Sequence, residues 1–187
     1  HSSSTVVSGR AGGAGGIAGY QANGRVYNCY NTGLVTGYYH LGGIAGSTYH
    51  TEIADCYNSG SVVGTTATYE SDAGGIVGYA YGSGKVACAY IMNNLSIGNV
   101  ESKSDKGIAS YILGYISSNG LTKITGNTVS GTVTAASGNA FAFGWNNNEA
   151  YVFLDCSGNT IPAGCTYYHT RELGVNDKVY EVGTFDM

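Results

Sequence analysis

Two short phrases return along this chain in a fixed order, and their recurrence restricts the fold more than any single residue does. The first reads Ile17-Ala18-Gly19-Tyr20, Ile44-Ala45-Gly46-Ser47, Ile76-Val77-Gly78-Tyr79 and Ile112-Leu113-Gly114-Tyr115, with an echo at Ala142-Phe143-Gly144-Trp145. The second follows it: Cys29-Tyr30-Asn31-Thr32-Gly33-Leu34-Val35-Thr36-Gly37 returns as Cys56-Tyr57-Asn58-Ser59-Gly60-Ser61-Val62-Val63-Gly64, and more loosely over Asn94 to Val100 and Asn127 to Ala135. Recurrence at 27 to 36 residues marks a repeat architecture, in which each unit buries its apolar face only by stacking on its neighbours. The expected product is a ladder of similar coils rather than a globule around one pocket.

Each repeat reads as three short extended pieces. In the first repeat these are Gly16 to Tyr20, Arg25 to Asn31 and Leu34 to Gly37, with turns at Asn23-Gly24 and Thr32-Gly33. Aligning the repeats produces one apolar column through Val26, Ile53, Ile91, Ile124 and Phe153, and a second through Val35, Val62, Val100 and Val133. Such columns are what a parallel β-helix presents to its interior. Asn28, Asp55, Asn93 and Asp155 follow the first column by two residues and should share its face, so a corner is expected there. The fold class is therefore all-β, a parallel β-solenoid of about five rungs, ~24 Å long at ~4.8 Å per rung.

Residues 1–11 are expected to be disordered or an N-terminal cap, 12–164 to form the solenoid, and 165–187, where the repeat is lost, to cap the last open edge. Residues 65–73 and 101–107 lengthen the same connection in two repeats and should project from one side. The chain starts His1-Ser2-Ser3-Ser4 without an initiator Met or a leader's apolar core, as in a mature or excised fragment whose address is not written in it.

Gly42-Gly43-Ile44-Ala45-Gly46 and Gly74-Gly75-Ile76-Val77-Gly78, with the Cys-Tyr-Asn-x-Gly-x-Val-x-Gly phrase behind them, resemble the GLUG repeat of bacterial surface and secreted proteins. Regions preceding the metallopeptidase domain of some immunoglobulin A1 proteases carry it. The resemblance runs from about residue 12 to 135 and implies a β-solenoid in an extracellular or cell-surface setting.

Composition excludes several function classes. Charged residues are 11% of the chain and the formal net charge is −4, with eight scattered Lys and Arg, so no basic stripe can neutralise phosphates and nucleic acid is not expected. No apolar run approaches the ~20 residues that span a bilayer as a helix, so membrane insertion by this segment is not expected. Low charge with many aromatics argues against disorder.

The cysteines do not read as a metal or redox framework. Cys29 and Cys56 hold the same repeat position and would stack ~4.8 Å apart with Cβ atoms parallel, beyond the ~3.8 Å of a disulfide, so they read as small buried fillers. Cys88 falls outside that register, where Asn94 takes the cysteine's place. Cys156 and Cys165 stand apart near the C-terminus, where a local disulfide is an open alternative.

Catalytic patterns are sparse. The carboxylates aligned by the repeat, Asp55 and Asp155, are three coils apart, ~14 Å by rung spacing, and read as turn caps. His40 and His50 have no Glu or Cys partner at metal-ligand spacing and read as exposed loop residues, and His169 has only Asp177 and Glu172 near it in sequence, so neither metal nor cofactor is expected. Gly82-Ser83-Gly84-Lys85 lacks the length and helix of a phosphate loop and reads as a corner. A lone Thr132-Val133-Thr134 falls short of the regular threonine columns that ice binding needs.

What remains is aromatic. Tyr38, Tyr39, Tyr49, Tyr69, Tyr79 and Tyr81 are expected at corners or connections near the inserted loops, with Trp145 beside Asn146 to Asn148 further along. Such rings can stack on a sugar or anchor a protein; tyrosine ladders can equally just shield a solenoid's outer face. The expectation is a noncatalytic extracellular repeat module, an adhesin or a stalk, meeting a glycan or host surface protein and other domains of the parent chain. The alternative is a carbohydrate-binding or carbohydrate-cleaving β-helix.

Overall fold

A computed structural model of the chain describes residues 1–8, 12–65, 70–82, 89–118, 121–138, 140–143, 145–146, 153–155 and 157–163. Among them there is no helix, and every strand pairing is parallel. The strands build five sheets that run up the sides of a rod, one strand per coil in each.

In chain order the first sheet holds Val6–Val7, Val35–Gly37, Val62–Gly64, Val100–Ser102 and Val133–Ala135. The second holds Ala14–Gly15, Leu41–Gly42, Asp72–Gly74, Ile108–Ser110 and Ala140–Phe141. The third, with the longest strands, holds Ala18–Ala22, Ala45–Tyr49, Val77–Gly82, Leu113–Ser118 and Trp145–Asn146. The fourth holds Arg25–Tyr27, Thr51–Ala54, Ala89–Met92, Leu121–Thr125 and Phe153–Asp155. The fifth holds Tyr30–Asn31, Tyr57–Asn58, Leu95–Ser96 and Thr128–Val129. The chain is thus a parallel β-solenoid of five rungs, and Val6–Val7, paired with Val35 and Thr36, already lies along it.

Five pieces per coil replace the three expected, for two local reasons. The segment Arg25 to Asn31 breaks at Asn28, whose φ of 51° turns the chain; Asp55 and Asn93 do the same with φ of 54° and 55°. Asn and Asp tolerate this left-handed region better than other residues with a Cβ, so the recurrent polar residue is a corner, as the sequence led one to expect. The second break lies inside the small-residue phrase. A methyl on Gly42 would run into the Ala45 carbonyl oxygen, and one on Gly78 into the backbone of Leu41. The phrase is a corner so tight that the second and third sheets meet backbone to backbone.

The valine column is in register, with Val35 opposite Val62, Val62 opposite Val100 and Val100 opposite Val133. The isoleucine column holds for Val26, Ile53, Ile91 and Ile124. Its expected last member does not belong: Phe153 pairs with Leu121, and Asp155 pairs with Lys123. Asp155 is accordingly a strand residue and not the fifth corner. In the last two coils the corner is made by Gly126 and Gly158, with φ of 67° and 69°, so counting back from an acidic residue placed the register three positions early.

The interior has two apolar lobes. Val35, Leu41, Val62, Ala73, Val100 and Ala109 fill the space between the first two sheets; the larger lobe, with Ile44, Ile53, Ile76, Ile91, Ile112 and Ile124, lies against the third, fourth and fifth. A polar row runs between them. Asn58 is fully buried; its Nδ2 donates to the carbonyls of Gly60 and Gly75, and its Oδ1 accepts from Asn31 Nδ2. Ser96, the next residue up the column, donates to Gly75 as well. The Asn of the Cys-Tyr-Asn phrase therefore reaches across the rod to the glycine corner, which is why the two phrases recur together.

A second polar ladder replaces the cysteines higher up. Asn94 Oδ1 accepts from the backbone N–H of Cys56, Asn127 Oδ1 from that of Asn94, and Asn159 Oδ1 from that of Asn127. Cys29 and Cys56 are free thiols, as their stacking required. Cys88, Cys156, Cys165 and the expected cap over 165–187 lie outside the described residues. Both lengthened connections fall between the first and second sheets, but Asp72, Ala73, Glu101 and Ser102 belong to strands rather than to the loops.

Candidate functional site

The first two strands of the third sheet, Ala18–Ala22 and Ala45–Tyr49, begin on the small-residue phrase and end at a corner made by Asn23 and His50, with φ of 49° and 47°. Alternation along them turns one side chain in two outward. Register then stacks Tyr20, Ser47, Tyr79, Tyr115 and Trp145 in one column and Ala22, Tyr49, Tyr81 and Ser117 in the next. Tyr49, Tyr79 and Tyr81 are thereby brought together on the face of a sheet, not at corners or connections as expected. The strand simply continues past the glycine phrase before it turns. Tyr38 and Tyr39 do lie on a connection, between the first and second sheets, and are half-buried. Tyr69 lies outside the described residues.

The rings form a continuous ladder. Tyr79 stacks on Tyr81 and on Tyr115 with centroids 5.3 Å and 5.4 Å apart, and Tyr49 packs against Tyr81 at 5.0 Å. These separations are close to the strand spacing and suit offset aromatic pairs. Their faces are consequently spent largely on one another, and the rings are half-buried. Tyr20 differs: it is 55% exposed, and its hydroxyl passes over the small Ser47 to reach the Tyr81 hydroxyl at 2.8 Å. That hydrogen bond, with some desolvation, pushes the Tyr81 phenol up to about 12.

One flank of the ladder carries an acid and a base. His40 stacks on Tyr79 with centroids 4.2 Å apart, its Nδ1 lies 3.1 Å from an Asp72 carboxylate oxygen, and Asp72 is buried. His50 packs edge-on against Tyr49. Both histidines are fastened to the aromatic face, which loop placement did not anticipate. Tyr20, Tyr115, His40 and Asp72 are the members missed by reading the sequence; the Tyr after each Gly of the recurring phrase was the available signal for the first two.

The other acidic groups are dispersed. Glu52 on the fourth sheet pairs with Arg25 at 3.2 Å and accepts a hydrogen bond from Tyr27, which raises that phenol. Asp55 is at the corner between the fourth and fifth sheets, and Asp105 is on the connection leading to Ile108–Ser110. Among the described residues no three His, Cys, Asp or Glu come together as a metal-holding group, and no helix is long and apolar enough to cross a membrane. Thr134 shares its column with Thr36, Val63 and Glu101, a mixed surface rather than a threonine array. His169 and Gly82-Ser83-Gly84-Lys85, apart from Gly82, lie outside the described residues.

A family model described as the GLUG motif matches the chain twice, over residues 10–36 and 37–63. The chain therefore carries two GLUG repeats in tandem, and each match spans about one coil. Higher coils keep the register past residue 63, through connections of changed length. No curated protein and no solved structure matches the chain significantly.

Proposed function

We propose that this GLUG-repeat module is a noncatalytic spacer, a short stiff stalk in a bacterial surface or secreted protein that holds other parts of that protein apart. One observation carries the reading: five coils stack in continuous parallel register around an interior filled by side chains and closed by buried amide ladders. Such a stack resists bending because each coil is bonded to its neighbours on every side. Its surface chemistry is consistent with this, since the tyrosine faces that could stack on a sugar are mostly occupied by each other.

A second reading, an adhesin for a glycan or host surface protein, is favoured by the exposed Tyr20 ring at the end of the ladder. Arrays of glycans and host surface proteins separate the two. The spacer reading expects no saturable binding by the purified module. A saturable ligand whose binding falls at least tenfold in Tyr20→Ala would move the assignment to adhesion.

A further inference from the structure

We propose that Tyr20 and Tyr81 are a built site for oxidative cross-linking, joining as a dityrosine that staples the first coil to the third. The site concerns a covalent modification and stands whether or not the rod serves as a spacer.

The geometry of the pair anticipates the product. Dityrosine is a biaryl joined at carbons ortho to the two hydroxyls, so its hydroxyls lie side by side within hydrogen-bond distance. In the folded chain the Tyr20 and Tyr81 oxygens are already 2.8 Å apart, so the ring carbons ortho to them flank the point of contact. The rings are nearly parallel, at 20°, with centroids 6.3 Å apart; they need to slide edge to edge rather than reorient. Tyr20 is 55% exposed, so it has room for that slide and is open to an oxidant. Ser47, which follows Tyr20 in its own column on the intervening coil, is too small to block the Tyr20 ring's path to Tyr81 in the next column.

Tyr81 also has the surroundings to retain a radical once formed, since Tyr49 and Tyr79 pack on it at 5.0 and 5.3 Å. An electron hole arriving anywhere on the ladder can settle at the pair whose hydroxyls touch. The oxidant is hydrogen peroxide turned over by a haem peroxidase. Each phenol gives up one electron and one proton, and the two phenoxyl radicals form a carbon–carbon bond. The two ring hydrogens at the joined carbons move to the oxygens and restore the phenols. Peroxide takes the two electrons and two protons and leaves as two molecules of water, so the protein loses two hydrogens in all. The residues joined are 61 apart in sequence, so the bond closes a long loop and restricts the unfolded chain.

The test treats the dilute protein with hydrogen peroxide and a haem peroxidase, then examines the monomer by intact mass, dityrosine fluorescence and peptide mapping. The expected result is a monomer lighter by two hydrogens, with the Tyr20 peptide joined to the Tyr81 peptide and a higher unfolding temperature. Tyr20→Phe, at an exposed position, should fold normally and lower monomer dityrosine at least fivefold; Tyr81→Phe should do the same. The proposal is overturned by an absence of dityrosine, by cross-links only between chains through the exposed Tyr27 and Tyr30, by a bond mapped to Tyr49 and Tyr81, or by undiminished monomer dityrosine in Tyr20→Phe.

Discussion

Asn127 is fully buried among apolar side chains, held there by its hydrogen bonds. Its Oδ1 accepts from the backbone and side-chain nitrogens of Asn94, while its Nδ2 donates to Ile91 and to Asn159. Asn127→Ala would leave the buried Asn94 N–H without its acceptor, break the amide ladder between Asn94 and Asn159 and leave a cavity, at about 1–3 kcal/mol for each unsatisfied group. A drop of about 3 kcal/mol in unfolding free energy by urea titration is expected. Two other side chains couple stability to alkaline pH. Burial pushes the Cys56 thiol from 9.0 up to about 11, and the Tyr20 hydrogen bond moves Tyr81 from 10.0 to about 12. Below the unfolded values both groups are protonated in either state and their contribution is complete. Above them the unfolded chain releases protons that the folded chain retains, so stability falls as pH rises from about 9 to about 12. Urea midpoints across that range should decline, and Tyr81→Phe should flatten the upper part of the decline. At this scale the sequence showed the corner residues plainly, because Asn and Asp recur where φ is positive. It did not show that Asn31 and Asn58 are interior struts, since an Asn before Thr-Gly or Ser-Gly reads equally well as an exposed turn residue.

Elements are set by where side chains are forbidden as much as by where they pack. Gly74 and Gly138 separate the two causes. A methyl on Gly74 would meet the Val77 carbonyl oxygen and lie 2.7 Å from the Gly114 nitrogen, whereas one on Gly138 would meet nothing within 4 Å, though its φ is +83°. Gly74→Ala is expected to cost upwards of 3 kcal/mol, because two backbones must part. Gly138→Ala should cost about 1 kcal/mol, the penalty of the left-handed region alone. Thermal midpoints of the two variants, read side by side, check this ordering. The third sheet shows why element boundaries were harder to read than the elements themselves. Its strands carry Tyr at alternate positions after the glycine phrase, a pattern that fits a strand or an aromatic corner until the next turn is located. Once His50 and Asn23 are known to be that turn, Tyr49, Tyr79 and Tyr81 must lie on one face.

The described residues form a rod of like coils, and the two phrases made that architecture legible wherever they recur. Register was legible wherever both phrases survived, which is why the valine column was placed correctly through four coils. It failed at Phe153 and Asp155, where the phrases had faded and only an acidic residue was left to count from. The aromatic surface was half legible: the ring-bearing positions could be named, but their assembly across coils into one ladder with His40 and Asp72 depends on contacts between residues 32 or more apart. Nuclear Overhauser contacts among the methyl groups of Val35, Val62, Val100 and Val133 test the central claim most directly. In-register parallel coils predict an unbroken chain of contacts, each valine touching only the one a coil below and the one a coil above. Contacts between Val35 and Val133, or a pattern pairing strands that follow one another in sequence, would contradict it.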